Sequence, residues 1–361
     1  MKKTPGQHIV LITGSSGYIG AMLVEQFVQR PDVAQVIGLD KDPVPAFIEK
    51  TPKFVFIQAN TVDGDWRSRV ERLNPDVVVH AAWQIREMYG KRAVQRQWNI
   101  DGTDAVFDFA FSTPSVKRLV HFSTVASYGA YASNTIGHRF VENESLRQTD
   151  YSYAEEKREA EIHLKQRFDA AVAKGPTGVA APHVQVAVIR PASITGPRGR
   201  YMQVKFGLQA ALSGQLKKSL LHRAVSLMVA FMPVTPLWCR QFIHEDDIAD
   251  IVALLAFTPL SSDYEVFNAC PPGDIVRGAD MASSVGKRVL PVRPWMVRVA
   301  FFWARHLTFG RIPTSRGGWR TYSYPIVVDG SKLSRTYSYT YAFGPKDAFL
   351  KKEGRYMKYI A

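Results

Sequence analysis

Tyr153 and Lys157 stand four residues apart in a stretch of helical periodicity, which puts both side chains on one helix face. A phenol near its reference pKa of about 10 is a poor base at neutral pH, but a neighbouring ammonium favours the phenolate and draws it towards the working range. Such a pair can move a proton on or off a hydroxyl or carbonyl. The spacing alone is weak, because the chain holds 15 tyrosines and a solvated helix face often carries such a pair. A second set of residues, Thr13-Gly14-Ser15-Ser16-Gly17-Tyr18-Ile19-Gly20, follows an apolar run and opens a helical pattern. Gly14 permits a sharp turn, Gly17 lets backbone approach a pyrophosphate, Gly20 lets helix pack closely on strand, and the helix start offers free N–H groups to phosphate. About 20 residues on, Asp40 ends another apolar run, where a carboxylate accepts hydrogen bonds from an adenosine ribose. An acid there repels a 2′-phosphate and favours NAD, while Lys41 beside it leaves NADP open.

These residues need elements to hold them. Short β-rich runs lie at 8–13, 33–40, 53–59, 76–81, 118–123 and 184–190, several almost wholly apolar, as strands buried on both faces are. Helical periodicity fills the gaps at 19–30, 66–73, 96–112 and 153–173. The alternation predicts an α/β fold, a Rossmann-type doubly wound parallel sheet with ligands beyond the carboxyl ends of the strands. After residue 190 the pattern loosens. A helix at 241–257 and a strand at 264–268 read as a return to the sheet, and the rest as a smaller C-terminal substrate-binding cap. The expected division is a dinucleotide-binding domain over 1–190, a substrate-side segment over 191–238, a return to the core over 239–270, and a basic, aromatic-rich cap over 271–361.

Taken in order, the motifs resemble the extended short-chain dehydrogenase/reductase family, also called the NAD-dependent epimerase/dehydratase family, over roughly residues 8–345. The resemblance rests on the glycine loop, Val79-His80-Ala81-Ala82, Asn99-Ile100-Asp101-Gly102-Thr103, and the run from His121 through Ser123-Thr124 to Gly129. It also rests on Tyr153 with Lys157, Arg190-Pro191-Ala192-Ser193, Phe242-Ile243-His244-Glu245-Asp246-Asp247, and Asp329-Gly330-Ser331-Lys332. It implies Tyr153 as acid/base, Lys157 on the nicotinamide ribose and lowering the Tyr153 pKa, and Thr124 hydrogen-bonded to the reacting oxygen. It further implies Tyr18 and Ile19 at the pyrophosphate, Asn60 and Thr61 at the adenine, Ala81, Ala82 and Asn99 along the cofactor groove, and Pro191 near the nicotinamide. Ser193 and Arg240 are implied at the substrate, no metal is implied, and a homodimer is the implied assembly. The departures matter. Val125-Ala126 replace the Asp-Glu pair that sugar-nucleotide 4,6-dehydratases carry after the Thr, Asn60 stands where Asp is usual, and Ser193 where a diphosphate-contacting Asn is common. Residues 231–238 replace the expected Gly-rich nucleotide loop. The expected activity is therefore that of an NAD(P)-dependent epimerase or dehydrogenase of a sugar, nucleotide-linked or polyprenyl-linked. The alternatives are an oxidoreductase of a sterol-like or lipid alcohol, and a non-catalytic dinucleotide-binding regulator.

The 361 residues carry 46 Lys+Arg against 32 Asp+Glu, a net charge of +14. Residues 286–361 hold 15 of these cations and 3 acids, so nearly all the excess lies in the C-terminal fifth. A uniform nucleic-acid-binding surface does not fit that distribution, and no nucleic-acid partner is expected; a local region facing an anionic small-molecule substrate or membrane does fit. The segment 294–309 places Trp295, Val299, Phe302, Trp303 and His306 on one helical face. Such a helix can lie on an anionic membrane, but the commoner arrangement packs its aromatics into the protein, and that is the expectation. Arg311, Arg316 and Arg320 could instead clamp a phosphate or carboxylate. His244 with Asp246 and Asp247 reads as a helix start and not a metal site. Cys239 and Cys270 form neither a disulfide framework nor a zinc pattern. The apolar run 8–13 is too short for a signal peptide, and 224–238 is broken by Pro233 and Pro236 before it reaches a bilayer span. A cytoplasmic protein, peripheral to membrane at most, is expected.

Overall fold

The computed structural model describes residues 6–46, 48, 51–173, 184–199, 231–284, 286–310, 314–351 and 353–357. Arg311 and residues 200–230 of the substrate-side segment lie outside the described residues. The apolar runs form β1 (His8–Thr13), β2 (Val33–Asp40), β3 (Phe54–Gln58), β4 (Val77–His80), β5 (Arg118–Phe122) and β6 (Gln185–Pro191). With a late strand, Tyr264–Ala269, they make a seven-stranded sheet in the order late strand, β6, β5, β4, β1, β2, β3. Every pairing in it is parallel. The chain moves outward from β1 in one direction through β2 and β3, then crosses back to β4 and moves the other way. That reversal opens a crevice between the carboxyl ends of β1 and β4.

Both faces of the sheet are covered. On one side Met22, Leu23 and Phe27 of α1 (Tyr18–Val28) pack with Ile248, Ile251 and Leu255 of the helix Glu245–Phe257. On the other, Trp66 and Val70 of α2 (Trp66–Glu71) join Val106, Phe107 and Phe109, and Leu164 of a later helix. Each such side chain contributes about 1.5–3 kcal/mol by leaving water.

The helical stretch at 96–112 divides. It is α3 (Arg92–Arg96), a π-turn at Gln97–Asp101, and α4 (Gly102–Ser112). The extra residue in the π-turn shifts the face on which Asn99 lies. Next comes α5 (Ser152–Ala173), whose inward face is not apolar throughout: Glu156, Lys157 and Glu161 are buried on it.

Beyond β6 the short strands β7 (Ser193–Thr195), β8 (Phe231–Val234), β9 (Cys239–Arg240) and β10 (Phe242–His244) lead into α6 (Glu245–Phe257), then β11 (Tyr264–Ala269), the late strand of the sheet. β12 (Val276–Arg277) pairs antiparallel with β9, and after α7 (Gly278–Ser284), β13 (Arg288–Pro291) pairs parallel with β8. The basic-aromatic segment is α8 (Pro294–Leu307), followed by α9 (Ser331–Tyr337) and α10 (Pro345–Leu350).

The expectation that α8 packs its aromatics inward is corrected: it has no buried residue, and Trp295, Val299, Phe302 and Trp303 are exposed. The opposite edge faces the protein, with the Phe301 ring 5.1 Å from that of Tyr322. Only one side of a helix can touch a neighbour, and here the smaller, less aromatic side does so.

At the start of α6, His244 accepts a hydrogen bond from the Asp246 N–H at 3.1 Å and donates its other ring nitrogen to the Glu353 carbonyl at 3.0 Å. The Asp247 carboxylate accepts from the Tyr339 hydroxyl at 2.9 Å and the Ala342 N–H at 2.8 Å. These groups fasten the C-terminal segment to the sheet.

Candidate active site

Gly14 leaves β1 with φ +73°, and a Cβ there would come within 2.6 Å of the Ala82 nitrogen. The turn therefore lies tight against Ala81 and Ala82, whose N–H groups donate to the Thr13 carbonyl at 3.2 Å and its hydroxyl at 3.3 Å. A Cβ at Gly20 would collide with the Gly14 carbonyl, so α1 rests directly on the turn. Gly17 caps α1 with no side-chain hydrogen bond, and no acid stands in its first turn, which leaves the positive end of the helix open to an anion. The buried Ser15 hydroxyl has no partner among the described residues. A cradle closed to side chains, a bare helix start and a spare hydroxyl together fit a dinucleotide pyrophosphate.

At the end of β2 the Asp40 carboxylate accepts from the Ser16 N–H at 2.9 Å and the Asp42 N–H at 3.0 Å. Burial raises its pKa and these hydrogen bonds hold it down. Lys41 is paired with Asp42 at 2.9 Å and lies 5.2 Å from the Trp98 ring centroid. Asn60 and Thr61 follow β3: the Asn60 side chain accepts from the Val62 N–H at 3.4 Å, and the buried Thr61 packs against Gly102 at the start of α4. Tyr18 turns its hydroxyl to the buried Glu245, whose carboxylate also accepts from the Arg198 and Gly199 N–H groups, each at 2.9 Å. Ile19 packs on the core.

Thr124 follows β5 in extended backbone and caps the short 3₁₀ turn Val125–Tyr128, accepting from the Ala126 N–H at 3.2 Å. Its hydroxyl lies near enough to the phenol of Tyr153, the second residue of α5, to act on its ionisation. Burial raises the Tyr153 pKa, and the Thr124 hydroxyl opposes it. Lys157 is buried one turn on. Its ammonium donates to the Phe122 carbonyl and stands 3.6 Å from the centroid of the Trp83 ring. Burial pushes Lys157 well down, against the pull of Glu161 and Glu156. Asn99 donates to Glu156 at 2.7 Å and accepts from the Gln84 N–H at 2.7 Å, tying the loop after β4 to α5.

Pro191 ends β6, buried beside the late strand β11. Ser193 lies half-buried on β7, two residues beyond, its N–H donating to Gln241 at 3.2 Å. Arg240 sits between the rings of Trp238 and Tyr322, at 5.8 and 5.3 Å from their centroids. It also acts on the Tyr151 phenol, holding down a pKa that burial raises. The Tyr151 and Tyr153 rings are 5.8 Å apart, so Arg240 belongs to the same cleft as the Tyr–Thr pair. Arg316 donates its backbone N–H to Glu87 and Arg320 pairs with Asp150 at 2.8 Å.

Several supporting residues escaped the sequence reading. Trp83 covers Lys157, although its place directly after Ala81-Ala82 is a usable signal. Tyr151 precedes the catalytic candidate by two residues and shares its cleft. Behind the site, Arg190 binds Glu161 at 2.6 Å and the Tyr128 hydroxyl at 2.8 Å, and Glu161 also accepts from Ser123. Burial works against the Arg190 cation, and Glu161 outweighs it. These residues hold β5, β6 and α5 in register behind Thr124 and Tyr153.

A profile of the NAD dependent epimerase/dehydratase family matches residues 10–270. The chain belongs to this family. The match covers the glycine loop, Thr124, Tyr153, Lys157 and Arg240 in one span, and the family's description names the dinucleotide that the β1 cradle fits. An uncharacterised Mycobacterium tuberculosis protein is 26% identical over 191 residues, 52% of this chain and 48% of the relative. The chain thus spans about half the length of that mycobacterial relative. A UDP-glucose 4-epimerase of Mycoplasma pneumoniae is 24% identical over 269 residues, 72% of this chain and 75% of the relative. Among solved structures, the Bordetella bronchiseptica enzyme WbmH in complex with NAD+ superposes with a TM-score of 0.68 at 18% identity, covering 98% of this chain and 100% of that one. At that identity the likeness is one of fold.

Proposed function

We propose that the protein is an NAD-dependent epimerase or dehydrogenase acting on a hydroxyl of a sugar derivative, with Tyr153 as the acid/base. The observation that carries this is the Tyr153 phenol beside the Thr124 hydroxyl, with buried Lys157 one turn on, at the carboxyl ends of the strands that also carry the glycine cradle. Bound at that cradle, NAD supplies a hydride acceptor and donor. Gly14, Gly17 and the start of α1 hold its pyrophosphate, Asp40 takes the adenosine ribose, and Lys157 takes the second ribose. Lys41 is turned to Asp42 in an ion pair, which supports NAD over NADP. Thr124 orients the reacting oxygen while Tyr153 takes the hydroxyl proton as the carbon gives up hydride. In the return direction Tyr153 gives the proton back. Val125 and Ala126 offer no acid or base for elimination, which supports epimerisation or oxidation over dehydration.

Arg240, in an aromatic niche of Trp238 and Tyr322, is the proposed contact for a phosphate or carboxylate on the substrate. The name of the Mycoplasma pneumoniae relative supports a nucleotide-linked sugar. The exposed apolar face of α8 favours a polyprenyl-linked sugar or another lipid alcohol instead. Thermal-shift measurements with UDP-sugars and with polyprenyl phosphates separate the two, since only the true class stabilises the protein. The mechanism itself is tested by Tyr153→Phe: turnover falls at least about a thousandfold while NAD affinity is unchanged. Near-normal turnover would sink it. NAD retained through purification, read by mass spectrometry, marks an epimerase; freely exchanging NAD marks a dehydrogenase. The reading includes a homodimer, which light scattering checks.

A further inference from the structure

Six apolar side chains, Trp295, Val299, Phe302, Trp303, Leu307 and Phe309, lie along the outward face of α8 and its end, each between 45% and 73% exposed. Val297, Phe301, Ala304 and Arg305 occupy the inward edge, where Arg305 pairs with Glu87 at 2.5 Å. The helix is therefore fixed to the protein by its less aromatic side, and its most apolar side is turned to solvent. Scattered exposed hydrophobes need no explanation, but a contiguous stripe of this kind marks an interaction surface.

Charge says what covers it. Residues 281–328 contain eight Lys and Arg and no Asp or Glu. Arg288, Arg293 and Arg298 are exposed in and around α8 and form no ion pair among the described residues. A second copy of the chain meeting this face would bring like charge against like charge. A surface that is both apolar and anionic matches it: aromatic rings enter the headgroup–acyl boundary while guanidinium groups stay among lipid phosphates. At 1.5 Å per residue the helix is about 21 Å long, which suits lying in the plane and falls short of a span. No helix among the described residues is long and apolar enough to cross a bilayer.

The stripe also borders the candidate active site. The Tyr89 ring packs against Phe309 and His306, with centroids 6.0 and 5.8 Å away. Tyr89, Ile85, Arg305 and Tyr151 line a cavity of about 150 Å³, and Tyr151 is the residue whose ring neighbours Tyr153. We propose that α8 is an in-plane anchor that seats the protein on an anionic lipid bilayer, with the catalytic cleft opening beside it at headgroup level.

The full chain, sedimented with vesicles, tests this. Binding to a phosphatidylcholine–phosphatidylglycerol mixture is expected to be at least about tenfold tighter than to phosphatidylcholine alone, to weaken in about 0.5 M salt, and to shift tryptophan emission to the blue. Phe302→Ser with Trp303→Ser lowers affinity about a hundredfold, and Arg293→Gln with Arg298→Gln about tenfold, with NAD affinity unchanged in both. Because the Arg variant keeps every apolar side chain of the outward face, it tests the proposal even where the aromatic variant does not fold. Tyr153→Phe binds vesicles like the parent protein, so loss of the hydride-transfer reading leaves this one standing. Absence of binding to either vesicle, equal binding to both, or a dimer in solution that the aromatic variant dissolves would each overturn it.

Discussion

In the proposed mechanism, Tyr153 works beside Thr124. In this arrangement the groups acting on the phenol are burial, which raises its pKa, and the Thr124 hydroxyl, which lowers it. The phenol is then protonated at neutral pH; the proposed mechanism uses that form as the acid on a carbonyl and the ionised form, which rising pH populates, as the base on a hydroxyl. Oxidation of substrate should accordingly speed up with pH. Thr124→Val removes the group that favours phenolate, so the rising limb of the kcat/KM profile moves to higher pH and the rate near neutrality drops about a hundredfold. Thr124→Ser restores both. A profile that stays in place in the Val variant would show that Thr124 only caps the turn at Val125–Tyr128.

At the scale of elements, β4 and β5 meet through two histidines. His80 and His121 are register partners with stacked rings 5.5 Å apart. His80 is satisfied on both sides, by Thr13 at 2.7 Å and Thr103 at 2.9 Å, whereas neither ring nitrogen of His121 has a partner among the described residues. Burial, reinforced by the Lys157 charge, pushes His80 down to about 3, and it pushes His121 well below its ordinary value. Both groups thus take protons in the unfolded chain before they do in the folded one. Stability contributed by their neutral forms is present above the unfolded pKa of about 6.5 and is lost as pH falls towards the folded values. His121→Phe fills the same space against Phe107, whose ring is 5.1 Å away, without giving up a hydrogen bond. Melting temperature should then fall less steeply between pH 7 and 5, by the equivalent of about 2 kcal/mol, and an unchanged slope would remove His121 from the acid response.

Across the whole molecule, charge and fastening divide between the two ends of the chain. The dinucleotide half is close to neutral, and the cationic excess rides on the C-terminal fifth, which the start of α6 holds to the sheet. Asp247 is one of these fasteners, since its buried carboxylate receives a hydroxyl and backbone N–H groups from residues 339–343. Asp247→Ala leaves those donors without an acceptor and should cost about 2–4 kcal/mol. Limited trypsin digestion would register it as early cleavage at Arg335 and Lys346, and a digestion pattern like that of the parent protein would assign the fastening to other contacts.

Much of the site was legible because its demands are local. A glycine turn between an apolar strand and a helix, an acid at the next strand end, and a Tyr and Lys one turn apart are all written within a few residues of one another. Backbone sterics and helix geometry fix their meaning without help from the rest of the chain. Distant packing decided the remainder. Periodicity shows that α8 has an aromatic face but not which way that face turns, and it points outward because Phe301 and Arg305 make the contacts to Tyr322 and Glu87. Likewise the spacing of Tyr153 and Lys157 puts them on one face, while the loop carrying Trp83 and the end of β5 determine where the ammonium goes. The sequence by itself determined the fold class, the glycine turn and the placing of Tyr153 and Lys157 on one helix face, because each follows from neighbours along the chain. Only the tertiary structure decided which buried charges support that pair and which surface is left for a partner, because those depend on side chains that meet across hundreds of residues.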